Sequence, residues 1–153
     1  MDNSTSNQQN FQDFQNLLNK LIEYNLQIPV IVEGRRDVES LKRLGLTGEI
    51  LKVHSGKSLH DFCEGLAKQY PQFILLIDWD ERGNDLLAKI ARFLETGWQE
   101  FSRFRKGFMT LCGKNLQEVE NLASWFETLQ AEIRIGSSCA LDPGCNTKHR
   151  LKP

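Results

Sequence analysis

Three carboxylates in this chain stand where chemistry on a phosphate could be done. Glu33 follows the apolar run Val30-Ile31-Val32, and Asp78 and Asp80 follow the run Phe73-Ile74-Leu75-Leu76-Ile77. Two apart on an extended chain, Asp78 and Asp80 point the same way while Trp79 faces the other side. If the two runs are neighbouring parallel strands, about 4.8 Å apart, all three carboxylates reach one rim. Such a group is costly when unneutralised, because each charge raises the pKa of the others. Mg²⁺, or Mn²⁺ in its place, would relieve that cost. An ion held by a few carboxylates and water also suits phosphate oxygens, and a pair of ions could support in-line phosphoryl transfer. Taken singly, each residue has a plainer use, Glu33 as an acid favoured at a helix entry and the aspartates as helix caps. Their convergence favours the metal.

For that rim to exist, strands and helices must alternate, and the apolar pattern says that they do. Phe11, Phe14, Leu17, Leu18, Leu21 and Ile22 recur at three- and four-residue steps, predicting an accessory helix over residues 11–26 behind a disordered polar lead over residues 1–10. Pro29 introduces the first strand. Val38, Leu41 and Leu44 mark a helix from Arg36 that stops at Gly45, and Glu49 to His54 reads as a second strand. Ser58 followed by Asp61 resembles a capping box opening a helix with Leu59, Phe62, Cys63 and Leu66 apolar, which ends near Pro71. The Phe73 to Ile77 run is the third strand. A helix from about Asn84 then carries Leu86, Leu87, Ile90, Phe93 and Leu94 to Gly97, and Trp98 to Ser102 suggests a short fourth strand.

Downstream, Phe104, Phe108 and Leu111 predict one helix, and Asn115 with Glu118 caps another bearing Val119, Leu122, Trp125, Phe126 and Leu129. Composition turns irregular from Gly136, so residues 136–153 are expected to be a disordered tail. The fold class is α/β: a Rossmann-like parallel sheet of about four strands flanked by helices, occupying residues 28–130, with accessory helices on its N- and C-terminal sides. Ligands of such sheets bind beyond the carboxyl ends of the strands, where the three acids stand.

The segments Ile31-Val32-Glu33-Gly34-Arg35-Arg36-Asp37-Val38-Glu39-Ser40-Leu41 and Ile74-Leu75-Leu76-Ile77-Asp78-Trp79-Asp80-Glu81-Arg82-Gly83 together resemble the Toprim domain. That domain occurs in type IA and type II topoisomerases, bacterial-type primases, OLD-family nucleases and small stand-alone prokaryotic proteins. The resemblance covers about Pro29 to Gly97. It implies that Glu33 is a general acid/base in strand joining or cleavage and that Asp78 and Asp80 bind Mg²⁺. Topoisomerase versions carry a further acid soon after the aspartate pair, a place that Glu81 would take here. No topoisomerase tyrosine domain or primase zinc module accompanies the motifs, which leaves a small nuclease or phosphotransferase acting on RNA or DNA. The alternative is a noncatalytic module that holds a nucleic-acid end or a nucleotide for a protein partner.

Arg36 and Arg82, each within three residues of a proposed ligand, are candidates to grip substrate phosphates. Lys57 is a third candidate, although His54-Ser55-Gly56-Lys57-Ser58 is no phosphate-binding P-loop, because Leu51 stands where that pattern needs glycine. Phe101, Phe104 and Phe108 interleave with Arg103, Arg105 and Lys106, but their helical spacing favours core packing over base stacking. Aspartate pairs after a strand also occur in haloacid-dehalogenase phosphatases and sugar transferases; there the pair follows the first core strand, here the third.

With 19 basic and 20 acidic residues the net charge is −1, so a polyanion must be gripped locally. The 153 residues suffice for one core. No apolar run approaches the roughly 18 residues of a membrane span, and the polar start lacks the pattern of a signal peptide, so a cytoplasmic protein without membrane contact is expected. Cys63, Cys112, Cys139 and Cys145 are then free thiols. Cys139, Cys145 and His149 are irregularly spaced for zinc and lack a fourth ligand.

Overall fold

A computed structural model describes the backbone of residues 3–141 and the side chains of residues 6–136. Three short strands, β1 (Val30–Val32), β2 (Ile50–Lys52) and β3 (Ile74–Leu75), form a parallel sheet in the order β2-β1-β3. Val30 pairs with both Ile50 and Ile74. Central β1 is buried at all three residues, and a strand covered on both faces needs this unbroken aliphatic run. Backbone pairing outlasts the regular strands: Val53 and His54 donate to the carbonyls of Val32 and Glu33, and Leu76 donates to that of Ile31.

The two-residue side-chain period divides the core. Val30, Val32, Ile74 and Leu76 face one apolar cluster that includes Phe14, Leu41, Phe104 and Leu122. Ile31, Leu75 and Ile77 face another, with Cys63, Leu66 and Ile90. The first cluster belongs to α1 (Asn3–Asn25), α2 (Arg35–Arg43), α5 (Ser102–Cys112) and α6 (Leu122–Leu141), the second to α3 (Leu59–Gln69) and α4 (Glu81–Phe93). Helices thus cover both faces of a small α/β sheet. Among the described residues no helix is long and apolar enough to cross a membrane, and Cys63 and Cys112 are free and buried.

Several boundaries differ from the sequence reading. α1 begins at Asn3, because side-chain hydrogen bonds one turn apart, Gln9 to Asp13 and Gln12 to Asn16, extend it through polar residues. Trp98 to Ser102 is not a fourth strand. Gly97, at φ 99°, turns the chain away after its carbonyl accepts the Phe73 amide, and Gln99–Phe101 is a 3₁₀ turn leading into α5. Phe101, Phe104 and Phe108 are all buried, so helical packing of this stripe outcompetes strand pairing. Ser58 caps α3 by accepting the Asp61 amide. Asn115 caps no long helix: it ends a 3₁₀ turn, a second such turn spans Val119–Asn121, and α6 starts at Leu122. α6 runs past Gly136 to Leu141, while the side chains of Cys139, Cys145 and His149 lie outside the described residues.

The entry to β1 rests on Asn25, 1% exposed. Its amide donates to the carbonyls of Ile28 (3.1 Å) and Glu49 (2.9 Å), and its Oδ1 accepts the Gly48 amide at 2.9 Å. A Cβ on Gly48 would lie 1.8 Å from the Asn25 carbonyl oxygen, so this close approach needs glycine. Asn25→Ala removes three part-buried hydrogen bonds and leaves the Ile28 carbonyl and the Gly48 amide without this partner, while the Glu49 carbonyl keeps the Val30 amide; it is expected to lower the unfolding free energy by about 2 kcal/mol. Urea denaturation checks this, and a loss below about 0.5 kcal/mol would show that water replaces the side chain.

Candidate functional site

Strand order settles the geometry that the sequence left open. β1 and β3 are neighbours and parallel, so Glu33 and Asp78 emerge at the same end of the sheet. They line a cleft of about 710 Å³ together with Asp80, Asp37, Glu118 and Glu120. Arg35, Arg36, Arg82 and His54 also line it and are exposed. Acidic and basic groups are thus interleaved in one hollow.

Three of the acids are held by backbone amides. Asp78 Oδ1 accepts the Val119 amide at 2.8 Å, and Asp80 Oδ1 accepts the Gly83 amide at 2.7 Å, which makes Asp80 the N-cap of α4. The capping role and a place in the cleft are therefore compatible, since each carboxylate keeps a second oxygen. Asp37 accepts the Gly34 amide at 3.0 Å, closing the β1 to α2 turn. Glu33 differs. Its Oε1 is buried and has no hydrogen-bond partner.

Glu33, Asp37 and Asp78 resist ionisation. Burial, followed by the charges of Asp37 and Asp80, raises the pKa of Glu33 against the opposing pull of His54 and Arg82. Asp78 is pushed up to about 7 by burial and then by Asp37, Glu33 and Asp80, with the Val119 amide working the other way. Asp37 is raised mainly by burial, opposed by the Gly34 amide. Among the described residues, the donor trio whose atoms lie within 4.8 Å of one another is His60, Asp61 and Glu64, an exposed group on α3 where Glu64 also pairs with Lys68. Glu33, Asp78 and Asp80 do not close to that distance. Their all-oxygen chemistry and the orphaned Glu33 Oε1 still fit a hard cation that keeps several waters.

Arg36 and Arg82 line the cleft. Lys57, in the exposed loop beside Gly56, does not line it, and neither does Glu81. Because Asp80 takes the cap position, Glu81 becomes the first residue of α4 and is solvent-exposed.

Two features escaped the sequence. The first is the strap over residues 116–123, stitched to the end of β3 and to α2: the Trp79 amide donates to Gln117 and its indole to Leu116, Asp78 holds Val119, and Ser40 Oγ accepts the Ala123 amide. It brings Glu118 and Glu120. The second is Arg105, whose Nε donates to the Ile77 carbonyl (2.7 Å) and whose Nη2 donates to the Asp78 carbonyl (2.6 Å) and to Asn84 Oδ1 (2.7 Å). Burial lowers its pKa, while Asp78, Asp80 and Glu33 counteract that shift. A charged residue directly after Phe104 on a buried aromatic stripe was the available signal; for the strap there was none. Gly34-x-x-Asp37 does have the spacing of a cap.

Raised carboxylate pKa values set the sign of the pH dependence. Asp78 binds a proton more tightly folded (about 7) than at its ordinary 3.8, so without added metal stability falls as pH rises through that window. The melting temperature is expected to be higher near pH 5 than near pH 8, and Asp78→Asn should flatten the difference. Equal slopes in the two proteins would mean that Asp78 is not the group responsible.

No protein-family model matches the chain. A solved Aquifex aeolicus protein shares the fold, with a TM-score of 0.55 at 22% identity over 70% of this chain and 95% of that one. A UPF0292 protein of Methanosarcina barkeri is 34% identical over 116 residues, 74% of this chain and 80% of the relative. One from Pyrococcus horikoshii is 31% identical over 128 residues, 83% of this chain and 92% of the relative. With such identity across most of both sequences, the chain belongs to the UPF0292 family.

Proposed function

We propose that this chain is a small Toprim-type protein that carries out Mg²⁺-dependent phosphoryl transfer or strand cleavage on RNA or DNA. The observation that carries the reading is the buried, unpartnered Oε1 of Glu33 in the cleft that also holds Asp78 and Asp80. A buried carboxyl oxygen without a hydrogen-bond partner is costly when ionised, and a nearby cation or a retained proton relieves that cost. Asp78 and Asp80 would hold Mg²⁺, or Mn²⁺ in its place. When bound, the ion would neutralise phosphate charge and lower the pKa of an attached water.

The protein's own groups do the rest. Glu33, its pKa raised by burial, retains a proton nearer neutrality than an ordinary glutamate and can exchange it with a phosphodiester oxygen at its carboxyl. Arg36 and Arg82, exposed in the cleft lining, suit paired hydrogen bonds to non-bridging oxygens and supply the local grip that a net charge of −1 does not provide. Arg105 keeps the Ile77 and Asp78 carbonyls in place so that both aspartates present to the cleft. A second reading, a noncatalytic module holding a nucleic-acid end for a protein partner, draws on the three carboxylates standing too far apart to share one ion directly.

Labelled single- and double-stranded RNA and DNA, incubated with and without Mg²⁺, separate the two. Metal-dependent products support the enzyme; metal-dependent retention without products supports the module. Glu33→Gln and Asp80→Asn are each expected to reduce cleavage at least about 100-fold. Both should melt within a few degrees of the parent protein, since Asn also caps helices well. Undiminished cleavage by Glu33→Gln would remove it from the chemistry.

A further inference from the structure

β3 is an edge strand, paired with β1 on one side and with no strand on the other among the described residues. A groove of about 440 Å³ lies there, lined by Leu75 of β3, Leu87 of α4 and Trp98, and by Ser102, Arg105 and Lys106 of α5. It shares no lining residue with the acidic cleft. Arg105 is only 8% exposed. Its Nε and Nη2 are fully engaged by Ile77, Asp78 and Asn84, whereas Nη1 has no hydrogen-bond partner among the described residues. A guanidinium nitrogen with unused donors at the edge of a groove walled by Leu75, Leu87 and Trp98 can receive an anion there.

We infer that this groove is a second ligand site, one that binds a small aromatic anion. The ring system lies against Leu75, Leu87 and Trp98, and its acid group is received by Arg105 Nη1 and Lys106 Nζ. An added peptide strand is a poorer occupant, because the β3 edge is already capped at both ends: the Phe73 amide is taken by Gly97 and the Ile77 carbonyl by Arg105. The site communicates with the acidic cleft through one side chain, since the guanidinium that receives the anion also holds the Asp78 carbonyl. This link stands whatever chemistry the cleft performs.

The test titrates 1-naphthoate, with neutral 1-naphthalenemethanol as comparator, into isotopically labelled full-length protein. Saturable shifts are expected at the Trp98 indole and the Leu75 and Leu87 methyls, with smaller ones at the Asp78 and Trp79 amides. The neutral analogue should bind at least about tenfold more weakly, as loss of a charge-assisted hydrogen bond implies. Lys106 is exposed, so Lys106→Gln leaves the fold intact and should weaken naphthoate binding about fivefold; Ser102→Phe should fill the groove and abolish it. Equal affinity for the two compounds, unaltered binding to Lys106→Gln and Ser102→Phe, shifts confined to the acidic cleft, or no saturation at millimolar naphthoate would each overturn the assignment.

Discussion

Parallel pairing of β1 with β3 forces Glu33 and Asp78 to leave the sheet at the same end, and the mutual repulsion of the acids gathered there has to be answered by the surrounding fold. The answer comes in pieces. Backbone amides from Gly34, Val119 and Gly83 each take one oxygen of Asp37, Asp78 and Asp80. Arg105 adds a full positive charge behind the β3 terminus. What remains unanswered is a single atom, Glu33 Oε1, and a hollow in which a cation would be stabilised.

Gly83 shows how tightly this arrangement is assembled. A Cβ there would lie 1.9 Å from the Asp78 carbonyl oxygen, the same oxygen that accepts from Arg105. The start of α4 is therefore pressed onto the end of β3, and the positive end of that helix faces the aspartates. A strand of two residues can hold a fixed position because a helix terminus, a guanidinium and the 116–123 strap bear on its end.

The local parts of this site were legible in the sequence. An apolar run ending in Glu33-Gly34 reads as a buried strand, and Asp80 three residues before Gly83 reads as a cap, because both signals lie within a few residues. Arg36 and Arg82 could be placed by proximity to those acids. The strap and the partners of Arg105 could not be, since these contacts span 21 to 83 residues and no local pattern says which groups will meet. Trp98 to Ser102 failed for a different reason: its two apolar residues, Trp98 and Phe101, stand three apart, a helical step that the buried Phe104 and Phe108 continue.

Because Asp78 depends on a guanidinium 27 residues later and an amide 41 residues later, the site has an order of birth. Up to residue 100 a growing polypeptide has made both acid-bearing strand ends but neither Arg105 nor Val119. Until those arrive, Asp78 lacks its guanidinium neighbour and its amide partner, and the hollow lacks the wall that carries Glu118 and Glu120. A chain cut short on either side of this point would keep both motifs that make the sequence recognisable and yet lack the means to hold them together.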